Sequence, residues 1–242
     1  MKSDAGSAKK TARIAGALYL LCSVTAGFPL IYVPNHFMVE GNPAATAAKI
    51  LASEMLFRVC IVSELIGAIV FAFMVRALYR LLHDIDQGHA SWMVTLVLLS
   101  IPITFINVLD EIAALNLIHG GATFLATFTP TQREALAMFF LNLHANGIGL
   151  ANIFWGLWLV PFGLLVLKSR FLPRFLGVWL IVDGLALVGV SVTALLLPAH
   201  LDMVNRIAII PELGELATML WLLIKGVDVT ALINSGMPVS PS

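Results

Sequence analysis

The sequence predicts an all-α protein, a polytopic transmembrane helix bundle of six spans with both termini cytoplasmic. Three observations lead there. Apolar residues make up 60% of the 242 residues and charged ones 12%, against about 45–50% and about 25% in a soluble domain, so water could not hydrate such a surface. The apolar residues gather into stretches of about 20, the length at which a helix crosses a ~30 Å hydrocarbon core. The basic residues also alternate between the two sides. With the N-terminus inside, ten of them (Lys2, Lys9, Lys10, Arg13, Arg76, Arg80, Lys168, Arg170, Arg174 and Lys225) fall inside and four (Lys49, Arg58, Arg133 and Arg206) outside. That bias is the one that orients helices in a cytoplasmic membrane.

The expected organisation is a cytoplasmic N-terminal segment (1–12), a six-helix transmembrane domain (13–225) and a disordered cytoplasmic tail (226–242). Span one, residues 14–33, is uncharged and follows Lys9, Lys10 and Arg13. It continues through Phe28-Pro29-Leu30-Ile31-Tyr32 without a small-x-small cleavage site, which reads as a retained helix rather than a signal peptide. Asn42-Pro43 is an N-cap followed by proline at the first helical position, and opens an alanine-rich interfacial helix over 44–54. Span two covers 56–82 and span three 92–118, with Asp110 and Glu111 towards its end. Thr129-Pro130-Thr131-Gln132 has capping-box spacing and starts a helix reaching 167. At ~1.5 Å per residue that helix outruns the hydrocarbon, so its first turns stand outside. Span five, 175–197, lies between Pro173 and Pro198, and span six, 207–224, is interrupted by Glu212 and Glu215.

Residues three, four and seven apart share a helix face. Ser100, Thr104, Asn107, Asp110 and Glu111 make such a stripe on span three. Asn142, Asn146, Gly149, Asn152, Gly156 and Gly163 make one on span four, and Gly177, Gly184 and Ser191 one on span five. Small and polar stripes are how helices associate in lipid, so each stripe is expected to pack inward.

The carboxylates ask for more than packing. A charge near a span centre costs about 2.5–3.5 kcal/mol on insertion scales. Glu64, Asp110, Glu111, Glu212 and Glu215 all fall in the outer halves of their spans. A pocket open to the outside and lined by spans two, three and six would account for that. Glu64 and Glu215 carry this reading best, because Asp110, Glu111 and Glu212 also suit a membrane boundary. The candidate polar pocket is Glu64, Asn107, Asp110, Glu111, Asn142, His144, Asn146, Glu212 and Glu215. Histidine changes charge near neutral pH, which suits a proton carrier. His144, however, lies across its helix from Asn142 and Asn146, and is expected to meet a different helix or the outer interface.

Several classes are excluded. The net charge is zero, with no basic block for nucleic acid. No H-E-x-x-H, G-x-S-x-G or Walker motif occurs, and Gly147-Ile148-Gly149 follows no strand. Paired axial histidines for haem are missing from the spans. Cys22 and Cys60 both fall inside spans, which suits neither a disulfide framework nor a zinc site. No catalytic residue, cofactor or metal is therefore predicted. The partners expected are the lipid bilayer and, through the small-residue faces, a homo-oligomer or another membrane protein.

Four stretches carry a family resemblance. They are Ala12-Arg13-Ile14-Ala15-Gly16-Ala17-Leu18-Tyr19-Leu20-Leu21, Ala44 to Glu54 with Leu56-Phe57-Arg58, Phe171-Leu172-Pro173-Arg174-Phe175-Leu176-Gly177-Val178, and Gly214-Glu215-Leu216 before Trp221-Leu222-Leu223-Ile224-Lys225-Gly226. In order and spacing the chain resembles the bacterial membrane-protein family called domain of unknown function four-three-eight-six. The resemblance implies a multi-span protein of the bacterial cytoplasmic membrane, with Leu143-His144 and Gly147 in a matching region of span four. It supplies no activity. Two functions compete: a small-molecule or proton-linked carrier using an outward-facing carboxylate-lined pocket, and a non-catalytic subunit, assembly factor or sensor partner.

Overall fold

The computed structural model describes residues 2–234, and among these it is all-helical, with no strand. Six segments are long and apolar enough to cross a membrane: Gly6–His36, Glu54–Leu82, Gln87–His119, Pro130–Ser169, Arg174–Leu196 and Pro198–Ile224. Their number and order are those expected, and the chain is a multi-pass integral membrane protein. The helices are α1 (Lys2–Cys22), α2 (Phe28–His36), α3 (Pro43–Ala52), α4 (Glu54–Leu82), α5 (Gln87–His119), α6 (Pro130–Leu157), α7 (Leu159–Ser169), α8 (Arg174–Leu196), α9 (Leu201–Ile224) and α10 (Val229–Asn234).

The start signals act as their chemistry dictates. Asn42 accepts from the Ala45 N–H at 3.0 Å, satisfying a donor that α3 leaves free at its first turn. The Thr129 N–H donates to Gln132 Oε1 at 2.9 Å, and the Gln132 N–H donates back to Thr129 Oγ1 at 3.3 Å. That is the reciprocal capping box at the start of α6.

Two of the expected spans carry an irregular turn, and one expectation is corrected. Span one is one long helical segment interrupted by a π-helical turn, Ser23–Gly27. Pro29 has no N–H to give the Thr25 carbonyl four residues earlier, and its ring crowds that carbonyl. The turn widens, and the Ser63 hydroxyl donates to the Thr25 carbonyl at 2.7 Å instead. Span four likewise breaks at Trp158, between α6 and α7, because Pro161 leaves the Leu157 carbonyl without its amide. The tail expected to be disordered from Gly226 is ordered through α10, with Val227 and Leu232 buried. The Asp228 N–H donates to the Phe171 carbonyl at 3.1 Å. The remainder of that tail, 235–242, lies outside the described residues.

The chain divides into two compact units. The first holds residues up to 21, 70–101 and from 149 onward. Its core is built on Met74, Leu78, Trp158, Phe162, Leu165 and Leu222, with Trp158 stacked on Phe162 at 5.4 Å between ring centres. Here α8 packs against both α7 and α9. A Cβ on Gly163 would stand 2.5 Å from the Gly177 carbonyl oxygen, and one on Gly156 2.5 Å from that of Gly184. Only hydrogen fits, so the seven-residue glycine spacing is a packing surface. The Arg13 guanidinium donates to the Ile224 carbonyl at 3.1 Å, at the end of α9 where free carbonyls favour a cation.

The second unit holds residues 22–69 and 102–148. Phe37, Ile50, Phe57, Cys60, Val108 and Leu141 are buried in its core, and Phe37 meets Phe57 edge-on at 5.3 Å. A Cβ at Gly67 would stand 2.7 Å from that of Ala26, so α4 lies hard against the π-helical turn. Nearby, Glu54 takes Arg58 at 2.6 Å and His119 at 3.1 Å.

Candidate functional site

Within the second unit three helices bring ionisable groups together. Glu64 stands on α4, Asn107 and Glu111 one turn apart on α5, and His144 on α6. Glu64 is 6% exposed and Glu111 0% exposed. His144 Nε2 lies 3.9 Å from a carboxyl oxygen of Glu64 and 3.9 Å from one of Glu111. These distances exceed a hydrogen bond, and both carboxyl oxygens of Glu111 lack any hydrogen-bond partner. The three side chains line a cavity of about 160 Å³ whose other walls are apolar, among them Pro29, Val33, Pro34, Met38, Leu141 and Ile148.

The histidine is held from behind. Its Nδ1 faces the Asn107 carbonyl at 3.2 Å. A carbonyl only accepts, so Nδ1 carries the proton and Nε2 is the nitrogen turned to the carboxylates. The Asn107 amide returns the contact, donating to the His144 carbonyl at 2.9 Å. Gly147 makes this possible, because a Cβ there would fall on the Asn107 side-chain amide. No periodicity pairs Asn107 with His144; the carbonyl of one faces the ring of the other only once α5 and α6 are docked.

The other candidates are placed differently. Asp110 is half-buried beside Glu111. Asn142 and Asn146, expected to turn inward, are exposed. The inward face of α6 instead runs Ala137, Leu141, His144 and Ile148, at three- and four-residue spacing. Arg58, a conceivable partner for Glu64, is engaged by Glu54. Glu212 is exposed and Glu215 half-buried, both in the first unit.

There the Tyr19 hydroxyl donates to the Glu215 carboxylate, and Tyr19 in turn lies 6.1 Å from the Trp158 ring. Asp183 of α8 is fully buried in the same unit, and sequence reasoning passed over it. The signal was present, since Asp183 is the lone charge within span five, and an intramembrane charge is by default a residue with a task. Outside the spans, the first unit holds Asp86 in the turn before α5. The Lys168 ammonium at 2.7 Å and the His89 backbone N–H at 3.1 Å hold its carboxyl well below the usual carboxylate range.

Six membrane-length helices with ionisable side chains buried among them define a helical multi-pass membrane protein. The chain belongs to the family described as domain of unknown function (DUF4386), whose model matches residues 14–226. No curated protein and no solved structure matches it.

Proposed function

We propose that this protein is a small carrier of the bacterial cytoplasmic membrane, with both termini inside. Its Glu64–Glu111–His144 cavity, open to the outer side, takes up a proton or a cation. The observation that supports this is Glu111, which is fully buried and has neither oxygen hydrogen-bonded. A bare carboxylate charge in such a place costs several kcal/mol or more, so it calls for a proton or a cation as its companion. A group that must bind something, set beside a cavity, is what a carrier uses. The outward orientation draws on charge: Lys49, Arg58 and Arg133, three of the four basic residues assigned outside, belong to the unit that holds the cavity.

The alternative, a non-catalytic subunit docking through small-residue faces, draws less support. Gly156, Gly163, Gly177 and Gly184 are already occupied with one another inside the first unit. The deciding experiment is reconstitution into vesicles with a trapped pH dye and an imposed pH gradient. The wild-type chain should dissipate the gradient, and Glu111→Gln and Glu64→Gln should fall to the rate of protein-free vesicles. Full flux in both variants would remove the carrier reading. Reporter fusions after Gln87 and Gly121 should read inside and outside respectively, which checks the orientation.

A further inference from the structure

Building on that reading of the cavity, we propose that Glu64, Glu111 and His144 bind a divalent transition-metal cation of the Zn²⁺, Mn²⁺ or Fe²⁺ class. One donor atom from each residue lies within 4.8 Å of the other two. Ligands about 2.1 Å from a tetrahedral ion stand roughly 3.4 Å apart, so the 3.9 Å separations at His144 close onto an ion with small side-chain rotations. A structural histidine–carboxylate pair would instead have drawn together to about 2.7–2.9 Å.

Two further features point to a ligand. Glu111 is fully buried and directs an unpartnered carboxylate into the cavity. His144 is set up as a metal-binding histidine is: its Nδ1–H is committed to the Asn107 backbone carbonyl, which leaves the Nε2 lone pair for the ion. Metal-ligating histidines almost always tie their second nitrogen down in this way. The charge also matches. Two carboxylates carry a formal charge of −2, which one dication neutralises and a monovalent ion does not. An imidazole nitrogen among only three protein ligands disfavours Mg²⁺ and Ca²⁺, which take six or more oxygens. A cavity of about 160 Å³ leaves room for several waters at ~30 Å³ each, and so for an exchangeable fourth ligand.

The test is a Zn²⁺ titration by calorimetry on the full chain in lipid nanodiscs, with Co²⁺ as an optical probe of the coordination sphere. The expected result is one stoichiometric site. Its affinity should fall by about 100-fold or more in the isosteric Glu111→Gln and Glu64→Gln variants, with thermal melting confirming that each is folded. Gly147→Ala removes no ligand but displaces Asn107, and should weaken binding about tenfold. The Co²⁺ visible bands should vanish in Glu111→Gln. The metal proposal is overturned if the wild-type chain shows no stoichiometric site for Zn²⁺, Co²⁺ or Mn²⁺. It is equally overturned if Glu111→Gln keeps wild-type affinity. Binding as expected without any flux in vesicles would sink the carrier reading and leave the metal site standing. Flux without metal binding would do the reverse.

Discussion

Glu111 in the second unit and Glu215 in the first are both carboxylates on membrane-spanning helices, yet their surroundings differ. Glu215 is met by the Tyr19 hydroxyl, whose ring packs into an aromatic cluster with Trp158. Glu111 is met by no donor, and faces a cavity shared with Glu64 and His144. Satisfaction separates the two. A carboxylate already hydrogen-bonded fastens two helices, here α1 and α9, while an unsatisfied one keeps its free energy of interaction for a visitor. Position along a span distinguishes nothing here; the partner does.

The sharpest way to break this comparison is to exchange the two losses. Glu111→Gln should lower binding at the cavity, and any flux through it, by about 100-fold or more. That is the scale of losing one charged ligand, about 2.8 kcal/mol at ~1.4 kcal/mol per tenfold. Tyr19→Phe should leave both untouched. Loss of flux or ion binding in Tyr19→Phe would mean that Glu215 belongs to the working site after all.

Packing comes next in size. In the first unit Gly163→Ala forces a methyl to within 2.5 Å of the Gly177 carbonyl oxygen, and overpacking of this kind costs about 1–3 kcal/mol. Gly189 of α8 is the control, because nothing lies within 4 Å of its missing Cβ. Gly189→Ala should be neutral or gain up to ~1 kcal/mol from helix propensity. Thermal melting in mild detergent reads both. Equal melting temperatures for the two variants would show that the glycine contacts between α7 and α8 are not close-packed.

Tyr19→Phe should itself cost about 1.5–2 kcal/mol, the low end for a hydrogen bond to a charged group, because Glu215 is only half-buried and water can reach the acceptor left behind. This is a stability effect alone, measured by melting or denaturant titration in mixed micelles. No loss of stability would mean that the Tyr19 hydroxyl fastens nothing.

How much of this was legible in the sequence follows from which forces act locally. The spans, the Asn42 cap and the Thr129–Gln132 box depend on residues within one turn or one window of ~20, so they can be read from the string. The π-helical turn at Ser23–Gly27 and the irregular turn at Trp158 also have local causes, Pro29 and Pro161, though a hydropathy window averages them away. The site was half legible. Glu64, Asn107, Glu111 and His144 are all legible as candidates, but the middle of α6 turns inward the face opposite to Asn142 and Asn146, while Gly156 of the same stripe packs inward as expected. Polarity alone marks Asn142 and Asn146 as the inward side and places His144 opposite. What orients α6 is the Asn107–His144 clasp and the space left by Gly147, contacts 37 residues apart that no periodicity encodes. Asp183 is hard to read for a different reason: it stands alone in its span, with no polar stripe to mark its face.

The smallest expected effect lies outside the spans, and it tests whether charge pairing holds the turn between α4 and α5. Asp86 caps a helix there and pairs with two side chains. Its Oδ1 accepts from the His89 N–H at 3.1 Å, at the start of α5, and its Oδ2 takes the Lys168 ammonium at 2.7 Å and stands 2.8 Å from His89 Nδ1. Asp86→Asn keeps the first role, since asparagine caps a helix about as well as aspartate, and removes the second. The Asp86 carboxyl sits well below its usual range in the folded chain, the Lys168 contact being the chief cause. Its contribution is therefore fully present above the unfolded value of ~3.9 and is lost as pH falls below that towards the folded one. The variant should melt slightly below the wild-type chain at pH 7, and the gap should narrow as the pH is taken below about 4. Salt should shrink it too, because the pair is open to solvent. Lys168→Met should show the same small loss at pH 7, and the double variant no more than either single one. A gap as wide at pH 3 as at pH 7 would show that the turn is held by the shape of the cap and not by the charge.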